Sequence, residues 1–302
     1  TGVGLTLYGY RNFAEDPSRA PVGAGAQCAF APYDIANQVV DGFDVVVNGP
    51  KTAAYRAPGA PAAAYAVEAT INELADELRM DPMDLRLKNA SREGTTNAVG
   101  APWPTIGAEA VMQAVKNHPH YTSELQGEDV GRGVALGFWF NGGMESSGTA
   151  SVQADGRISL ILGTVDIGGS RASMAIMAAE TLGVDYGQVR AIVADTASVG
   201  YTHVTGGSRV TFATGTAVVN ATKSAIKTLC ERAALIWGVD PEGVVWEDGY
   251  AKPAGSNVGD FKPLSLKELA GKAAATGGPI TASAGVNAGG QAPGMATQFC
   301  DV

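Results

Sequence analysis

Three glycine-rich segments, each placed before a predicted helix, have the residue types that bind anions. Two of them carry the same tetrapeptide, Gly-Gly-Ser-Arg, at residues 168–171 and 206–209, and the third covers residues 55–61. The first turn of a helix presents backbone N–H groups without intrahelical partners at the positive end of the helix dipole. Glycine has no Cβ, so the main chain can approach a ligand closely. We therefore expect these segments to bind one large anionic ligand through main-chain groups.

A capped helix after a tight turn would give the same pattern without any ligand. Ser170 and Ser208 occupy the positions expected for N-cap residues. Neither copy has the lysine of a P-loop or the glycine spacing of a dinucleotide-binding turn. Residues 168–172 also resemble half of a nucleophile elbow, for which His203 is the sole downstream histidine. Helix capping, anion binding and a serine hydrolase are therefore alternatives at this point.

The composition excludes several classes of partner. The chain has 302 residues and a net charge of −9, whereas nucleic-acid binding needs a basic face. The three cysteines, Cys28, Cys230 and Cys300, are far apart and form no C-x-x-C pair, so we expect neither a disulfide framework nor a zinc or iron–sulfur site. No apolar run reaches the roughly 20 residues of a membrane span. We predict no nucleic-acid partner, no membrane span, and a cytoplasmic location with the periplasm as the alternative.

The apolar periodicity and the turn residues predict an α+β fold in which helices cover mixed sheets. A helix over 61–79 is predicted by a stripe of four apolar residues: Val67, Ile71, Leu74 and Leu78. Asp-Gly pairs at 155–156 and 248–249 predict hairpins, and Gly183 predicts the left-handed end of a helix over 171–182. The other predicted elements are strands at 43–47 and 189–193 and helices at 82–87, 108–116, 208–237 and 266–275.

The length suffices for roughly two domains. A polar, irregular stretch at 118–128 places the boundary near Gly131, so we predict one domain over 1–130 and a second over 131–302. Both ends look cut, because the chain begins without Met and stops in what reads as the start of a strand. We therefore expect a fragment or a split portion of a longer polypeptide.

Five motifs occur in an informative order. They are Ala-Tyr-Arg-Ala-Pro-Gly at 54–59, an acidic helix containing Glu68, Asp-Pro-Met-Asp-Leu-Arg at 81–86, Gly-Thr-Val-Asp-Ile-Gly-Gly at 163–169 and Thr-Gly-Gly-Ser at 205–208. This series resembles the molybdopterin-binding large subunit of the xanthine dehydrogenase and aldehyde oxidoreductase family, the molybdenum hydroxylases. The resemblance implies that 1–130 is the C-terminal part of a first molybdenum-cofactor-binding domain and 131–302 the N-terminal part of a second.

The resemblance also implies which residues bind the cofactor. Arg56 would be the catalytic residue, beside the molybdenum, and the pterin rather than any side chain would hold the metal. Trp139 would take the place of a substrate-stacking aromatic, with core packing as the alternative. The implied cofactor-binding residues are Arg56, Ala57, Gly168, Gly169, Ser170, Arg171, Thr205, Gly206, Gly207 and Ser208.

The implied activity is that of an oxidoreductase which hydroxylates an aldehyde or an N-heterocycle at an electron-poor carbon, with water as the oxygen source. The implied cofactor is molybdopterin in its cytosine dinucleotide form, with [2Fe–2S] and FAD on partner chains and the other part of the molybdenum subunit as a further partner. The family's catalytic glutamate motif is missing, and Glu145, expected in a Gly/Ser turn, does not replace it. Ala57 stands where the carbon monoxide branch has cysteine, which disfavours that branch, and Gly169 stands where the family has glutamine. The alternatives are a non-catalytic anion-binding or assembly module and a serine hydrolase.

Overall fold

The computed structural model of the chain describes residues 19–43, 45, 48, 54–193, 195–256, 258–289 and 293–302. These residues form two compact units. The first comprises the described residues up to Phe140 together with 293–302, and the second comprises the described residues from Asn141 to 289. Helices and mixed sheets are present, so the predicted α+β class is confirmed. The assignment of 1–130 and 131–302 to two cofactor-binding domains stays a prediction.

Four α-helices, a 3-10 turn at Pro119–Thr122 and one antiparallel strand pair build the described part of the first unit. The helices are α1 (Arg19–Cys28), α2 (Ala60–Leu78), α3 (Pro82–Lys88) and α4 (Ala108–Lys116), and the strands are β1 (Arg132–Trp139) and the last strand of the chain, β9 (Gly294–Asp301). The helices predicted over 61–79, 82–87 and 108–116 are confirmed. Most of the strand predicted at 43–47 lies outside the described residues.

The buried face of α2 differs from the predicted apolar stripe. Val67 is buried as expected, but Leu74 and Leu78 are 44% and 54% exposed. The other buried residues of α2 are instead Ala60, Glu68 and Ala75. The stripe prediction was wrong in its second half because a carboxylate, which an apolar count omits, occupies the packed face.

A buried ion pair fixes this face of α2. Glu68 Oε2 accepts hydrogen bonds from Arg86 Nε at 2.9 Å, from Arg86 Nη2 at 2.8 Å and from the Leu136 N–H at 2.7 Å. Glu68 Oε1 accepts the Tyr33 hydroxyl at 2.6 Å. Burial and the adjacent Glu68 raise the pKa of Tyr33. The network therefore joins α2, α3, β1 and the segment after α1 through one desolvated, fully hydrogen-bonded carboxylate.

The second unit has a four-stranded mixed sheet. Its elements are β2 (Met144–Val152), β3 (Ile158–Leu162), α5 (Ser170–Leu182), β4 (Val189–Val193), α6 (Gly215–Trp237) and β8 (Ile280–Ala288). The strand order is β4-β3-β2-β8, with β3 and β4 parallel and the other pairs antiparallel. The alternation of buried and half-buried positions along β3 leaves one face for the core, where alanine-rich α5 and α6 pack. The predicted β-β-α-β-α order is confirmed.

A smaller sheet completes the second unit. It contains β5 (Val244–Glu247), β6 (Tyr250–Pro253) and β7 (Leu264–Ser265), followed by the short helices α7 (Leu266–Gly271) and α8 (Ala273–Thr276). The predicted hairpin is confirmed, and its turn residues Asp248 and Gly249 have φ of 50° and 79°, as a type I′ turn requires. The helix predicted over 266–275 is divided in two at Lys272.

Candidate functional site

The first Gly-Gly-Ser-Arg copy forms a tight turn into α5. Gly168 and Gly169 have φ of 103° and 85°, and Gly169 is the N-cap residue. The prediction that Ser170 is the N-cap was wrong, because Ser170 is already the first helical residue. An added Cβ on either glycine would meet no atom within 4 Å, so this side of the turn is open to a ligand.

A carboxylate of the chain itself occupies the anion position of this turn. Asp166 Oδ1 accepts hydrogen bonds from the N–H groups of Gly168 and Ser170, both at 3.1 Å, and from Ser170 Oγ at 2.9 Å. Arg171 Nε donates to Asp166 Oδ2 at 2.6 Å. Arg171 above all, and then Ser170, hold the pKa of Asp166 well below its usual range. Asp166 therefore caps α5 in place of the serine.

The same contacts bear on the serine hydrolase alternative. The Ser170 hydroxyl donates to Asp166 and approaches the Val165 carbonyl at 3.3 Å. Within the described residues no histidine hydrogen-bonds to Ser170. The nucleophile–base pair that such an enzyme requires is therefore not formed here.

The second copy has a different conformation. Gly207 and Ser208 have φ of 68° and 57°, and a π-helical turn, Val210–Thr214, leads into α6. Ser208 is therefore not an N-cap, contrary to the prediction. A left-handed conformation costs a residue with a Cβ about 1–2 kcal/mol. Strain of this kind and single π turns both concentrate at functional sites.

Arg209, the last residue of this copy, is completely buried. It donates from Nε to the Gly143 carbonyl at 2.8 Å, from Nη1 to the His203 carbonyl at 3.0 Å, and from Nη2 to Ser146 Oγ at 2.9 Å and to the Glu145 carbonyl. No carboxylate among the described residues hydrogen-bonds to this guanidinium. Burial lowers the pKa of Arg209, against the opposing attraction of Glu145. Glu145 is exposed and lies at the start of β2, not in a turn as predicted.

Two neighbouring segments meet the second copy. The Gly142 N–H donates to the Gly207 carbonyl at 2.8 Å, and a Cβ on Gly142 would lie 3.4 Å from the same oxygen. Thr164 Oγ1 and Thr205 Oγ1 are 3.3 Å apart, which joins the two predicted glycine loops within this unit. An added Cβ on Gly206 would meet no atom within 4 Å. The Thr205–Ser208 turn is thus held by its contacts with Gly142 and Thr164 and is open on the side to which a Cβ of Gly206 would point.

The Arg56 segment belongs to the first unit. Arg56 is exposed, and its guanidinium has no hydrogen bond or ion pair with another described residue. Ala57 has φ of 54° and Gly59, the N-cap of α2, has φ of 80°. A Cβ on Gly25 would lie 3.2 Å from the Gly59 carbonyl, so a glycine in α1 lets that helix approach the turn.

An aromatic cluster contains the predicted substrate residue. Trp139 is half-buried and stacks on Phe140 with ring centroids 4.5 Å apart. Both side chains pack, together with Ala57, against a buried group that includes Trp103 and Phe138. The first unit therefore brings Ala57 and Trp139 to one apolar cluster. Trp103 Nε1 is buried there without a hydrogen-bond partner.

Profiles of known families match two parts of the chain. Residues 110–300 match a molybdopterin cofactor-binding domain, and residues 2–90 match a second profile of the same description. The chain belongs to the molybdopterin cofactor-binding domain family. The family predicted from the motifs is confirmed.

Several relatives of this molybdopterin cofactor-binding chain have the names of enzymes. An aldehyde oxidoreductase of Megalodesulfovibrio gigas is 30% identical over 223 residues, which is 69% of this chain and 24% of that protein. A xanthine dehydrogenase molybdenum-binding subunit of Escherichia coli O157:H7 is 31% identical over 159 residues, 48% of this chain and 21% of that subunit. The aldehyde oxidoreductase of Desulfovibrio desulfuricans ATCC 27774 has the same fold, with a TM-score of 0.68 at 23% identity over 97% of this chain and 32% of that one. The chain thus spans a fifth to a third of these relatives.

The residues of the second unit suit the anionic parts of a molybdopterin cofactor. The open face of Gly206 leaves room that a Cβ would fill, and the buried Arg209 supplies a positive charge to which no carboxylate of the described residues is hydrogen-bonded. Sequence reasoning missed Arg209, Asp166 and Gly142. An aspartate four residues before a helical serine is a readable capping signal, whereas nothing in the tetrapeptide distinguishes Arg209 from Arg171.

Two further properties concern the described residues alone. No three His, Cys, Asp or Glu side chains converge there as a metal site. No helix in that part of the chain is both long and apolar enough to cross a bilayer.

Proposed function

We propose that this chain is the molybdenum-cofactor-binding portion of an oxidoreductase that hydroxylates an aldehyde or an N-heterocycle at an electron-poor carbon, with water as the oxygen source. The observation that carries the proposal is the Thr205–Ser208 turn, open on its outer side and backed by the buried charge of Arg209. The names of the relatives support the reaction class. When bound, the cofactor would supply the two-electron redox chemistry of the reaction.

In this proposal the chain's own residues bind and orient. Gly206, Gly207 and Ser208 bind an anionic part of the cofactor through main-chain groups, and Thr205 holds their turn against Thr164. Gly168 and Gly169 contact the cofactor through their open faces, because Asp166 already takes up two N–H groups of that turn. Ser170 and Arg171 act there indirectly, through Asp166.

The first unit supplies the catalytic side in the same proposal. The guanidinium of Arg56, which is exposed and has no ion pair with another described residue, would lie beside the metal together with the strained backbone at Ala57. Trp139 contributes to the substrate pocket by its aromatic surface. The two parts correspond to residues 1–130 of a first and 131–302 of a second cofactor-binding domain.

The remaining parts of the enzyme lie on other chains or on the rest of the molybdenum subunit. We propose that the cofactor is the cytosine dinucleotide form, and that electrons leave to [2Fe–2S] and FAD subunits. The catalytic glutamate would come from the other part of the molybdenum subunit. A cytoplasmic location belongs to the same proposal.

The test is the molybdenum and pterin content of the protein purified with all its partners. Stoichiometric molybdenum and pterin are expected. Arg56→Ala should lower turnover or cofactor content without unfolding the chain, while Arg157→Ala, which alters a hairpin arginine with a 74% exposed side chain, should change neither. Equal turnover and molybdenum in Arg56→Ala would refute the role of Arg56. A folded complex that contains neither molybdenum nor pterin would favour a non-catalytic anion-binding module.

A further inference from the structure

We propose that Arg209 is a positioning residue that preforms the Thr205–Ser208 turn before any ligand arrives. The guanidinium would hold this turn against the Gly142–Gly143 turn and give it a positive charge. The positioning part concerns the chain alone, and the ligand part rests on the proposed function.

The hydrogen bonds of Arg209 reach three separate segments of the chain. Its acceptors are the Gly143 carbonyl, two groups at the start of β2, namely the Glu145 carbonyl and Ser146 Oγ, and the His203 carbonyl. Ser146 Oγ lies 2.9 Å from Thr214 Oγ1, which extends the contact to the π turn. A planar guanidinium fork can serve acceptors in several directions at once, and a lysine ammonium cannot reproduce that geometry.

Besides Arg209, the turn is held by the contact between Thr205 Oγ1 and Thr164 Oγ1, which lie 3.3 Å apart. Its backbone is left-handed at Gly207 and Ser208, and its described backbone link to the facing turn is the bond from the Gly142 N–H to the Gly207 carbonyl. The His203 N–H donates to the Glu145 carbonyl at 3.0 Å, so the residue two positions before the turn is bound to a carbonyl that also accepts a hydrogen bond from Arg209. Strained backbone persists only where surrounding contacts over-determine it. Arg209 supplies those contacts.

The charge of Arg209 is in a different environment from that of Arg171, the equivalent residue of the first Gly-Gly-Ser-Arg copy. Arg171 has a 57% exposed side chain and is neutralised by Asp166 at 2.6 Å. Arg209 is bound by carbonyls and a hydroxyl, so its charge is stabilised without being cancelled by a hydrogen-bonded carboxylate of the described residues. Inside a low-dielectric environment such a charge acts strongly on a nearby anion. The 206–209 turn is therefore electrostatically prepared for an anion, whereas the 168–171 turn already contains one.

The first measurement is amide hydrogen exchange on the full protein freed of cofactor. In Arg209→Lys, the amides of Gly142 and His203 should exchange at least about tenfold faster than in the wild type, because charge-assisted hydrogen bonds are lost. Amides in the middle of α6 should be unchanged. Arg157→Lys, at an exposed arginine of similar chemistry, should match the wild type throughout. Unchanged exchange at Gly142 and His203 in Arg209→Lys would overturn the proposal.

A second variant keeps the test decisive if Arg209→Lys does not fold. Ser146→Ala removes one acceptor and should accelerate the same two amides by a smaller factor. In Arg209→Ala, added methylguanidinium should restore slow exchange, whereas methylammonium should not, since the fork and not the charge alone is needed. Equal effects of the two ions would overturn the positioning role.

The ligand part has its own readout. Arg209→Lys should retain at least about tenfold less pterin per folded chain than the wild type. Wild-type protein without pterin would refute the proposed function and leave the exchange result intact. Wild-type and variant proteins with equal pterin would overturn the ligand part of the inference.

Discussion

Replacing Glu68 by glutamine is the most informative perturbation of the first unit. The change preserves the shape of the side chain and removes its charge. The carboxylate is desolvated, with a side chain 5% exposed, and its partner Arg86 is completely buried. The variant therefore leaves a buried guanidinium without a counter-charge.

The magnitude follows from the hydrogen bonds that glutamine can keep. Its carbonyl oxygen can accept the bonds from Arg86 and Leu136 that Oε2 now accepts, and its amide can donate to Tyr33 if that hydroxyl rotates. The loss is then mainly the charge of a buried pair, for which breaking one partner costs about 3–5 kcal/mol. For a unit of this size, each kcal/mol lowers the melting temperature by about 2–4 °C, so the expected decrease is about 6–20 °C.

The assay is calorimetric unfolding of Glu68→Gln, with exchange of the Leu136 amide as the local report. The transition of the first unit should move, and the Leu136 amide should exchange faster. Glu109→Gln is the matched control, since Glu109 pairs with Arg92 on the surface with both side chains about half-exposed, and such pairs contribute little. A Glu68→Gln variant within about 1 kcal/mol of the wild type would refute the reasoning.

Three further predictions concern the second unit. The pKa of Asp166 is lowered in the folded state, so its carboxylate stabilises the fold above the ordinary carboxyl pKa of about 3.9, and this stabilisation is lost as pH falls below that value. Asp166→Asn should therefore have a lower melting temperature than the wild type at neutral pH, and the difference should narrow below about pH 4. A difference that does not change with pH would contradict this. Gly163→Ala places a Cβ 2.5 Å from a hydroxyl oxygen of the facing loop and should cost about 1–3 kcal/mol in urea unfolding, so a neutral result would argue against that close approach. Gly183 and Gly238 both end helices with φ near 68°, but of the two only a Cβ at Gly183 would meet backbone, at 2.7 Å from Asp248 Cα. Gly238→Ala should cost about 1–2 kcal/mol, and Gly183→Ala should be more destabilising. Equal costs would contradict the steric role of the Asp248 contact.

Elements with local signals could be predicted from the sequence. The Asp-Gly hairpins and the helix ended by Gly183 follow from turn and capping chemistry that acts within a few residues. The strand β1 could not be predicted in this way, because its partner β9 lies about 160 residues further along the chain. Likewise, Glu68 could not be recognised as buried until Arg86 and Tyr33 were known to surround it.

The candidate site divides in the same manner. Glycine turns before helices were predictable, because left-handed backbone is a local demand. The difference between the two identical tetrapeptides was not, because the environment of Arg209 depends on distant groups. Asp166 neutralises Arg171 from five residues away, whereas Arg209 is bound by the carbonyls of Gly143 and Glu145, more than 60 residues earlier in the chain, as well as by that of His203. One sequence motif therefore gives an exposed ion pair in one place and a buried cation in the other.

The most direct test of the central claim is an experimental density map of the enzyme purified with its cofactor and partners. We expect ligand density against the open face of Gly206 and the main chain of Gly207 and Ser208, with Arg209 still bound to Gly143 and His203. Cofactor density that leaves the 205–208 turn uncontacted would contradict it.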